Sequence, residues 1–147
     1  EQEREEFLEK FKKQKKTLVG FCVMGGIFAE GIDLLGERLI GAVIVGTGLP
    51  QVGIQREILR EFYDQQGERG FDYAYRFPGM NKVLQAAGRV IRTQEDEGVI
   101  LLLDERFCQQ ENLQLFPREW SDYRKSSLSH IEAQLQEFWR KRFTDNT

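Results

Sequence analysis

Arg89 and Arg92 are the residues of this chain whose type and spacing best suit phosphate chemistry. They lie three residues apart, and Gln85 precedes Arg89 by four. If this stretch is helical, the three side chains project from one face at positions i, i+4 and i+7. A guanidinium is always charged and matches phosphate oxygens with a planar fork of donors. The pattern therefore fits two alternatives: arginines that stabilise a transferring phosphoryl group, or ordinary solvated arginines on a helix surface.

Residues 85–92, which we name the arginine segment, need a packed helix to hold these side chains in place. Gly88 lies within the segment, and the positions around the polar residues are apolar and can be buried: Val83, Leu84, Ala86, Ala87, Val90 and Ile91. We expect the helix to start at Gly79 or Asn81 and to end before the acidic stretch at 95–98.

Residues 25–33, which we name the glycine-rich segment, form a second stretch suited to ligand contact. The apolar run before it predicts a buried strand over 18–24. In open α/β sheets, ligands bind beyond the carboxyl ends of strands, so Glu30 and Asp33 are well placed to contact a nucleotide. The alternative is an ordinary polar loop whose carboxylates cap a short helix.

Three motifs follow one another along the chain: Ala-Glu-Gly-Ile-Asp at 29–33, Gln-x-x-Gly-Arg-x-Ile-Arg at 85–92, and Asp-x-Arg at 104–106 after an apolar strand. The glycine-rich and arginine segments resemble motifs V and VI of superfamily 2 helicases. The whole order is most similar to the C-terminal helicase domain of the XPD/Rad3 and DinG group. The resemblance covers roughly residues 17–107.

The resemblance implies an α/β fold, namely a RecA-like domain of the P-loop NTPase type with a mainly parallel sheet flanked by helices. It implies a single domain over 1–147, the second motor domain of an ATP-dependent DNA helicase that moves along single-stranded or forked DNA. ATP and Mg²⁺ would be bound mainly by the first RecA-like domain of the same protein, which would supply the phosphate loop, the magnesium ligands and the catalytic base.

The resemblance also implies roles for individual residues. The catalytic group, which would act on the γ-phosphate and position water or phosphate, comprises Arg89, Arg92 and Gln85. The residues expected near the nucleotide are Gly31, Asp33, Glu30 and Gly88. The residues expected to contact nucleic acid are Gly26, Ala29, Thr47 and Gly48. A plain glycine–proline strand exit is the alternative for the last two.

The chain lacks the parts that bind ATP tightly. Four apolar residues and Asp104-Glu105 look like a Walker B box, but no G-x-x-x-x-G-K-[ST] phosphate loop accompanies them. We instead expect Asp104 and Arg106 to tie the sheet edge to the motif helices. Because the chain begins at Glu1 without a methionine, we expect it to be a fragment of a longer protein. Because the phosphate loop is missing, we expect this fragment to bind nucleotide weakly and to hydrolyse none by itself.

The composition restricts the class of protein to which this chain can belong. The chain has 147 residues, 40% hydrophobic and 31% charged, which is typical of a soluble globular domain. The net charge of −3 means that contact with nucleic acid needs a local patch. No apolar run approaches the ~18 residues that span a membrane, and we expect a cytoplasmic protein. Cys22 and Cys108 lack metal-ligand spacing, so we expect no metal site here; a 4Fe–4S cluster of the kind common in the XPD group would lie elsewhere in a longer protein.

The other elements are predicted from apolar periodicity. We expect helices over 2–16 and 51–66, a strand buried on both faces over 39–47, and a further apolar strand over 99–103. The second helix carries its apolar residues on one stripe, which we expect to be buried: Ile54, Ile58, Leu59 and Phe62. Its polar side chains are expected to face outward.

Two aromatic regions leave alternatives open. Residues 67–79 form a turn-rich connection whose rings either stack on the bases of a single strand or pin a long loop to the domain. A final helix over about 127–143 carries Phe138 and Trp139 on an apolar face. That face motivates a competing function, a non-catalytic RecA-like module that binds a protein partner. A self-contained ATPase is disfavoured because the phosphate loop is absent.

Overall fold

A computed structural model describes residues 2–12, 16–26, 39–93 and 96–145 of the chain. Its helices and strands in chain order are α1 (Gln2–Lys12), β1 (Gly41–Val45), α2 (Ile54–Gln65), α3 (Phe77–Ala87), β2 (Val99–Leu103), α4 (Gln110–Leu113) and α5 (Ile131–Asp145). A π-helical turn precedes α3, and 3₁₀ turns follow β2 and α4: Asp72–Arg76, Glu105–Cys108 and Arg118–Trp120. The chain divides into two compact units, Glu1–Leu115 and Phe116–Thr147.

The two strands form a parallel pair in the first unit. Gly41 lies opposite Val99 at their amino ends, and Val45 lies opposite Leu103 at their carboxyl ends. A parallel connection requires a long crossover, which here contains α2 and α3. The strand predicted over 99–103 is confirmed, whereas the one predicted over 39–47 is shorter at both ends.

Burial on both faces was the wrong expectation for β1. Ile44 is buried, but Val43 and Val45 are 59% and 72% exposed. Successive side chains of a strand point to opposite faces, and α3 packs on β1 from one side. The other face of β1 is therefore apolar and open in the part of the chain that the structure describes.

The strand expected over 18–24 is also wrong, because these residues pair with neither β1 nor β2. Phe21 is 95% exposed. The run packs instead against α1, since a Cβ placed on Gly20 would lie 2.8 Å from Phe7 Cζ and 3.0 Å from Phe11 Cζ. These two rings, four residues apart on α1, have centroids 5.2 Å apart. The amphipathic helix predicted at the start of the chain is thus present.

The orientation of α2 is the reverse of the predicted one. Its apolar stripe points outward, with Ile54 81% and Ile58 61% exposed, and no residue of the helix is buried. The inward contacts are polar: Arg56 Nη1 donates to the carbonyl oxygen of Ala74 at 2.8 Å, and the hydroxyl of Tyr75 donates to Glu57. The hydrogen bond to Glu57 raises the pKa of Tyr75 above its ordinary value.

Residues 67–79 are mainly helical, so the predicted turn-rich connection is wrong. Gly70 permits this, because its amide donates to Asp64 Oδ1 at 2.9 Å and an added Cβ would lie 2.0 Å from the carbonyl oxygen of Arg60. Tyr73 stacks on Tyr63 of α2, with ring centroids 4.0 Å apart and planes 9° apart. The rings therefore pin this segment to α2, which was the structural alternative.

The first turn of α3 lies directly on the loop after β1, residues 46–48, which we name the strand-exit loop. A Cβ on Gly79 would lie 2.7 Å from the carbonyl oxygen of Thr47 and 3.1 Å from the amide nitrogen of Leu49. The buried side chains of the first unit gather around α3 and the turn before it: Ile44, Ala74, Tyr75, Met80, Val83, Ala87, Val90 and Phe107. The backbone contact at Gly79 fixes where this core begins.

We predict that Gly79→Ala lowers the free energy of unfolding by about 1 to 3 kcal/mol, as overpacking does. Both clashing atoms belong to the backbone, so neither can move aside as a flexible side chain would. Urea denaturation of the full chain measures the change. Gly53→Ala is the matched control, because no atom lies within 4 Å of its added Cβ. Equal stability of the two variants would contradict the prediction.

Candidate functional site

The arginine segment does not form one continuous helix. Helix α3 ends at Ala87, and tight turns satisfy its last carbonyls: the amide of Gly88 donates to Leu84 at 2.8 Å and that of Arg89 donates to Ala86 at 3.2 Å. The expectation that Gln85, Arg89 and Arg92 share one helix face is therefore wrong. The chain leaves the helix before the second arginine, because the amide of Arg89 bonds the carbonyl three residues back, as is common in the last turn of a helix.

The predicted catalytic residues nevertheless stay in one region. Gln85 is exposed on the last turn of α3, and the two part-exposed arginines flank Val90, which is only 3% exposed. A Cβ on Gly98 would lie 2.3 Å from Val90 Cγ1, so the buried valine packs directly on the residue before β2. Both arginines also interact within the chain. The segment is thereby held at the amino end of the parallel strands.

Asp96 is a residue of this region that the sequence reasoning passed over. Its Oδ2 accepts the amide of Arg92 at 3.0 Å and the amide of Thr93 at 2.8 Å. Its own amide donates back to the carbonyl oxygen of Thr93 at 3.3 Å. Aspartate commonly bonds nearby backbone amides in turns, so the signal was an Asp four residues after an arginine of the motif.

Gly88 is the one predicted nucleotide-side residue that the structure describes. It is exposed and has a φ of −65°, a conformation open to any residue. The other predicted residues of that group and one predicted nucleic-acid contact lie outside the described residues: Gly31, Asp33, Glu30 and Ala29.

The strand-exit loop gathers the predicted nucleic-acid contacts at the carboxyl end of β1. Thr47 is 4% exposed, and its Oγ1 has no hydrogen-bond partner within the described ranges. Gly46 and Gly48 on either side of it have φ values of +85° and +67°, which favour glycine. A buried hydroxyl without a partner costs about 1 to 3 kcal/mol, so this loop holds an unmet hydrogen-bonding requirement.

The start of the glycine-rich segment reaches the same place. Met24 Cε lies 3.4 Å from the position of a Cβ on Gly48, and the methylene groups of Lys82 lie 3.3 Å from that of Gly25. The amide of Gly26 closes a turn on the carbonyl oxygen of Val23 at 3.0 Å. Two stretches far apart in sequence therefore meet beside the first turns of α3, with one lysine between them.

The two groups of predicted residues lie at opposite ends of the sheet. The strand-exit loop follows the carboxyl end of β1, whereas Val90 and Gly98 hold the arginine segment at the amino end of β2. Helix α3 connects them, since its first turn contacts the loop and its last turn carries Gln85. Helix α3 therefore lies beside both groups of residues.

Asp104 and Arg106 bind each other after β2. Asp104 accepts the amide of Arg106 at 2.9 Å, its Nε at 2.9 Å and its Nη2 at 2.6 Å. These bonds hold the pKa of Asp104 below its ordinary value and raise that of Arg106. The pair closes its own turn within the described residues, and its expected contact with the motif helices stays a prediction.

The described ranges contain neither a cluster of metal-binding side chains nor a membrane-spanning helix. Within them, no group of three or more His, Cys, Asp or Glu side chains could hold a metal ion. No helix there is both long and apolar enough to cross a lipid bilayer.

Comparison with known proteins gives a consistent result. The family of the helicase C-terminal domain matches residues 1–123. A probable ATP-dependent helicase of Methanocaldococcus jannaschii is 32% identical over 72% of this chain, and the ATP-dependent DNA helicase chl-1 of Caenorhabditis elegans is 33% identical over 69%. The ATP-dependent DNA helicase DinG of Photobacterium profundum is 31% identical over 72%. The chain spans only 17%, 13% and 16% of these three proteins.

We predict that Asp104→Asn makes the stability of the full chain less sensitive to acid. The folded pKa of Asp104 lies below the ordinary value of 3.8, so its ionised form stabilises the fold above that value. This stabilisation disappears as the pH falls through the lowered pKa, because protonation removes the charge that Arg106 binds. Urea midpoints measured from neutral to strongly acidic pH test this.

The neutral variant should start with a lower midpoint and lose less of it in acid than the unmodified chain. Glu119→Gln, which neutralises an exposed carboxylate in the turn Arg118–Trp120, is the control. Parallel pH profiles for the unmodified chain and Asp104→Asn would contradict the prediction.

Proposed function

This chain belongs to the helicase C-terminal domain family, and we propose that it is the second motor domain of an ATP-dependent DNA helicase. The relatives confirm the resemblance to DinG-type helicases that the motifs carried. The described part has a parallel strand pair with helices. We infer that this strand pair belongs to a RecA-like sheet, as the family match indicates.

The observation that supports the proposal is that Gln85 is exposed on the last turn of α3, while Arg89 and Arg92 follow between α3 and β2. In the proposed cleft, the two guanidiniums face the γ-phosphate of ATP bound to the first motor domain. They stabilise the negative charge that develops on the phosphoryl oxygens in the transition state. Gln85 is exposed one turn before Arg89 and positions water or phosphate.

When bound, ATP would supply the γ-phosphoryl group that is transferred to water, with ADP as the leaving group. Mg²⁺ would neutralise the charge on the phosphate oxygens. We propose that the first motor domain holds the metal and the phosphates, because the phosphate loop G-x-x-x-x-G-K-[ST] does not occur in this sequence. Gly31, Asp33 and Glu30 of the glycine-rich segment would line the nucleotide on this side of the cleft, with Gly88 behind the arginines. The arginines act in trans across the cleft.

Contact with single-stranded or forked DNA is proposed at the other end of the sheet. Gly26 and Ala29 of the glycine-rich segment, together with Thr47 and Gly48, would follow the sugar-phosphate backbone. The left-handed Gly48 supports this assignment, because a residue without a side chain lets a phosphate approach the backbone closely. Helix α3 joins both edges, so closure around ATP at one end moves the nucleic-acid contacts at the other.

A second candidate is the non-catalytic interaction module. Phe138 on α5 is 40% exposed and packs edge-on against Trp139, with ring centroids 5.0 Å apart. Exposed rings on one helix fit a surface that binds a protein partner. ATP turnover by the full-length protein, stimulated by single-stranded DNA, would favour the motor; its absence would favour the module.

We predict that Arg89→Ala and Arg92→Ala each lower the ATPase kcat of the full-length protein by roughly 10³- to 10⁵-fold. Each removes a charge that acts mainly in the transition state, so binding of single-stranded DNA is largely retained. Steady-state ATPase assays and fluorescence anisotropy with labelled single-stranded DNA measure the two effects.

Arg118→Ala is the matched control, since this exposed arginine lies in the turn Arg118–Trp120, far along the chain from the motifs. It should turn over ATP like the unmodified protein. Near-normal turnover in both motif variants would overturn the arginine assignment.

We also predict that Thr47→Val leaves the free energy of unfolding equal or higher, because it removes a buried hydroxyl without a partner among the described residues. Urea denaturation of the full chain measures the change, with Thr17→Val at an exposed position as the control. A clear loss of stability in Thr47→Val would contradict the prediction.

A further inference from the structure

We propose that Asp96 is the positioning residue for Arg92, holding the backbone from which that guanidinium reaches the phosphate. This inference rests on the proposed function of the arginine segment. Asp96 lies in the loop at 91–98 that connects α3 to β2, four residues after Arg92.

The need for such a residue follows from the end of α3. Helical hydrogen bonds stop at Ala87, and the last tight turn closes with the amide of Val90 on the carbonyl oxygen of Ala87 at 3.0 Å. Arg92 therefore lies in the loop between α3 and β2, outside the regular backbone hydrogen bonding of either element. A reactive side chain on such a loop loses precision unless other groups fix its backbone.

Two contacts supply that restraint. At the base of the loop, Val90 packs directly on Gly98, which has no side chain to hold them apart. Higher in the loop, one carboxylate oxygen of Asp96 accepts the amides of both Arg92 and Thr93, at 3.0 and 2.8 Å. Hydrogen bonds from amides to a charged carboxylate are stronger than neutral ones. The backbone of Arg92 is thus held from both sides.

The geometry makes a specific chemical demand. Both amides bond to the same atom, Oδ2, so the clamp requires one acceptor oxygen at this position. Asparagine has such an oxygen on a side chain of the same length, whereas alanine has none. The Asn and Ala variants of Asp96 therefore separate the geometry of the clamp from its charge.

The test uses the full-length protein with DNA-stimulated ATPase assays that give kcat and KM separately. Asp96→Ala should lower kcat about 10²-fold with little change in KM, as a displacement of about 1 Å at a reacting group does. Asp96→Asn should stay within about tenfold of the unmodified protein, because its amide oxygen can still accept both hydrogen bonds, although without the charge. Glu119→Ala, which removes an exposed carboxylate elsewhere, should have no effect.

A double-mutant cycle tests whether Asp96 acts through Arg92. When Arg92→Ala is already present, adding Asp96→Ala should change kcat little, because the group that it positions is absent. A substitution that only destabilised the fold would lower activity in both backgrounds. Amide hydrogen exchange gives an independent readout: the amides of Arg92 and Thr93 should exchange faster in Asp96→Ala but not in Asp96→Asn, while the amide of Val90 is unchanged.

Three results would overturn the inference: normal kcat in Asp96→Ala, an Asn variant as impaired as the Ala variant, or a further large loss in the Arg92→Ala background. If Arg92→Ala is inactive while Asp96→Ala is normal, only this inference fails. If Arg92→Ala itself turns over ATP normally, the proposed role of the arginine segment fails, and the role of Asp96 fails with it.

Discussion

The contact between Gly79 and the backbone of residues 47–49 is the constraint from which the rest of the first unit is arranged. At the separations found there, a side chain of any size would strike main-chain oxygen or nitrogen, so α3 begins on the strand-exit loop and nowhere else. The helix is 11 residues long and rises about 16 Å, which carries it from the carboxyl end of the strands to their amino end. Burial of Val90 against Gly98 then closes the far end. The backbone contact at Gly79, the side-chain contact of Val90 with Gly98 and the length of α3 therefore determine where the arginines lie.

The sequence predicted those elements whose own residues decide them. The apolar run at 99–103 is a strand, and helices occupy the three main periodic stretches. It failed where a neighbour decides. An apolar stripe normally indicates the buried side of a helix, yet in α2 the polar Arg56 and Glu57 find partners in Ala74 and Tyr75, and the stripe faces outward. The helical segment after Gly70 likewise depends on the close approach of Gly70 to the backbone of Arg60. Local helix propensities do not predict such a contact between distant residues.

For the candidate site, residue type was readable and position was not. The motif that contains Gln85, Arg89 and Arg92 helped to identify the family, but the helix that was expected to align them stops at Ala87. The end of a helix depends on which amides bond its last carbonyl oxygens. The presence of Gly88 in the sequence does not predict whether the helix ends there or continues. Asp96 was missed for a related reason: it binds backbone amides, and such a role leaves no pattern of paired side-chain types. The opposite placement of Thr47 and the arginines also became visible only from the direction of α3.

The reversed helix α2 affects how the domain responds to temperature. Burial of apolar surface is what gives unfolding its large heat-capacity change, and α2 has no buried residue. Its attachment depends instead on the bond from Arg56 to the carbonyl oxygen of Ala74, the bond from Tyr75 to Glu57, and the stacked rings of Tyr63 and Tyr73. Detachment of α2 alone would therefore absorb enthalpy with little curvature in its free energy. On heating, this helix is suited to open as a separate local unit before the core around Val83 does.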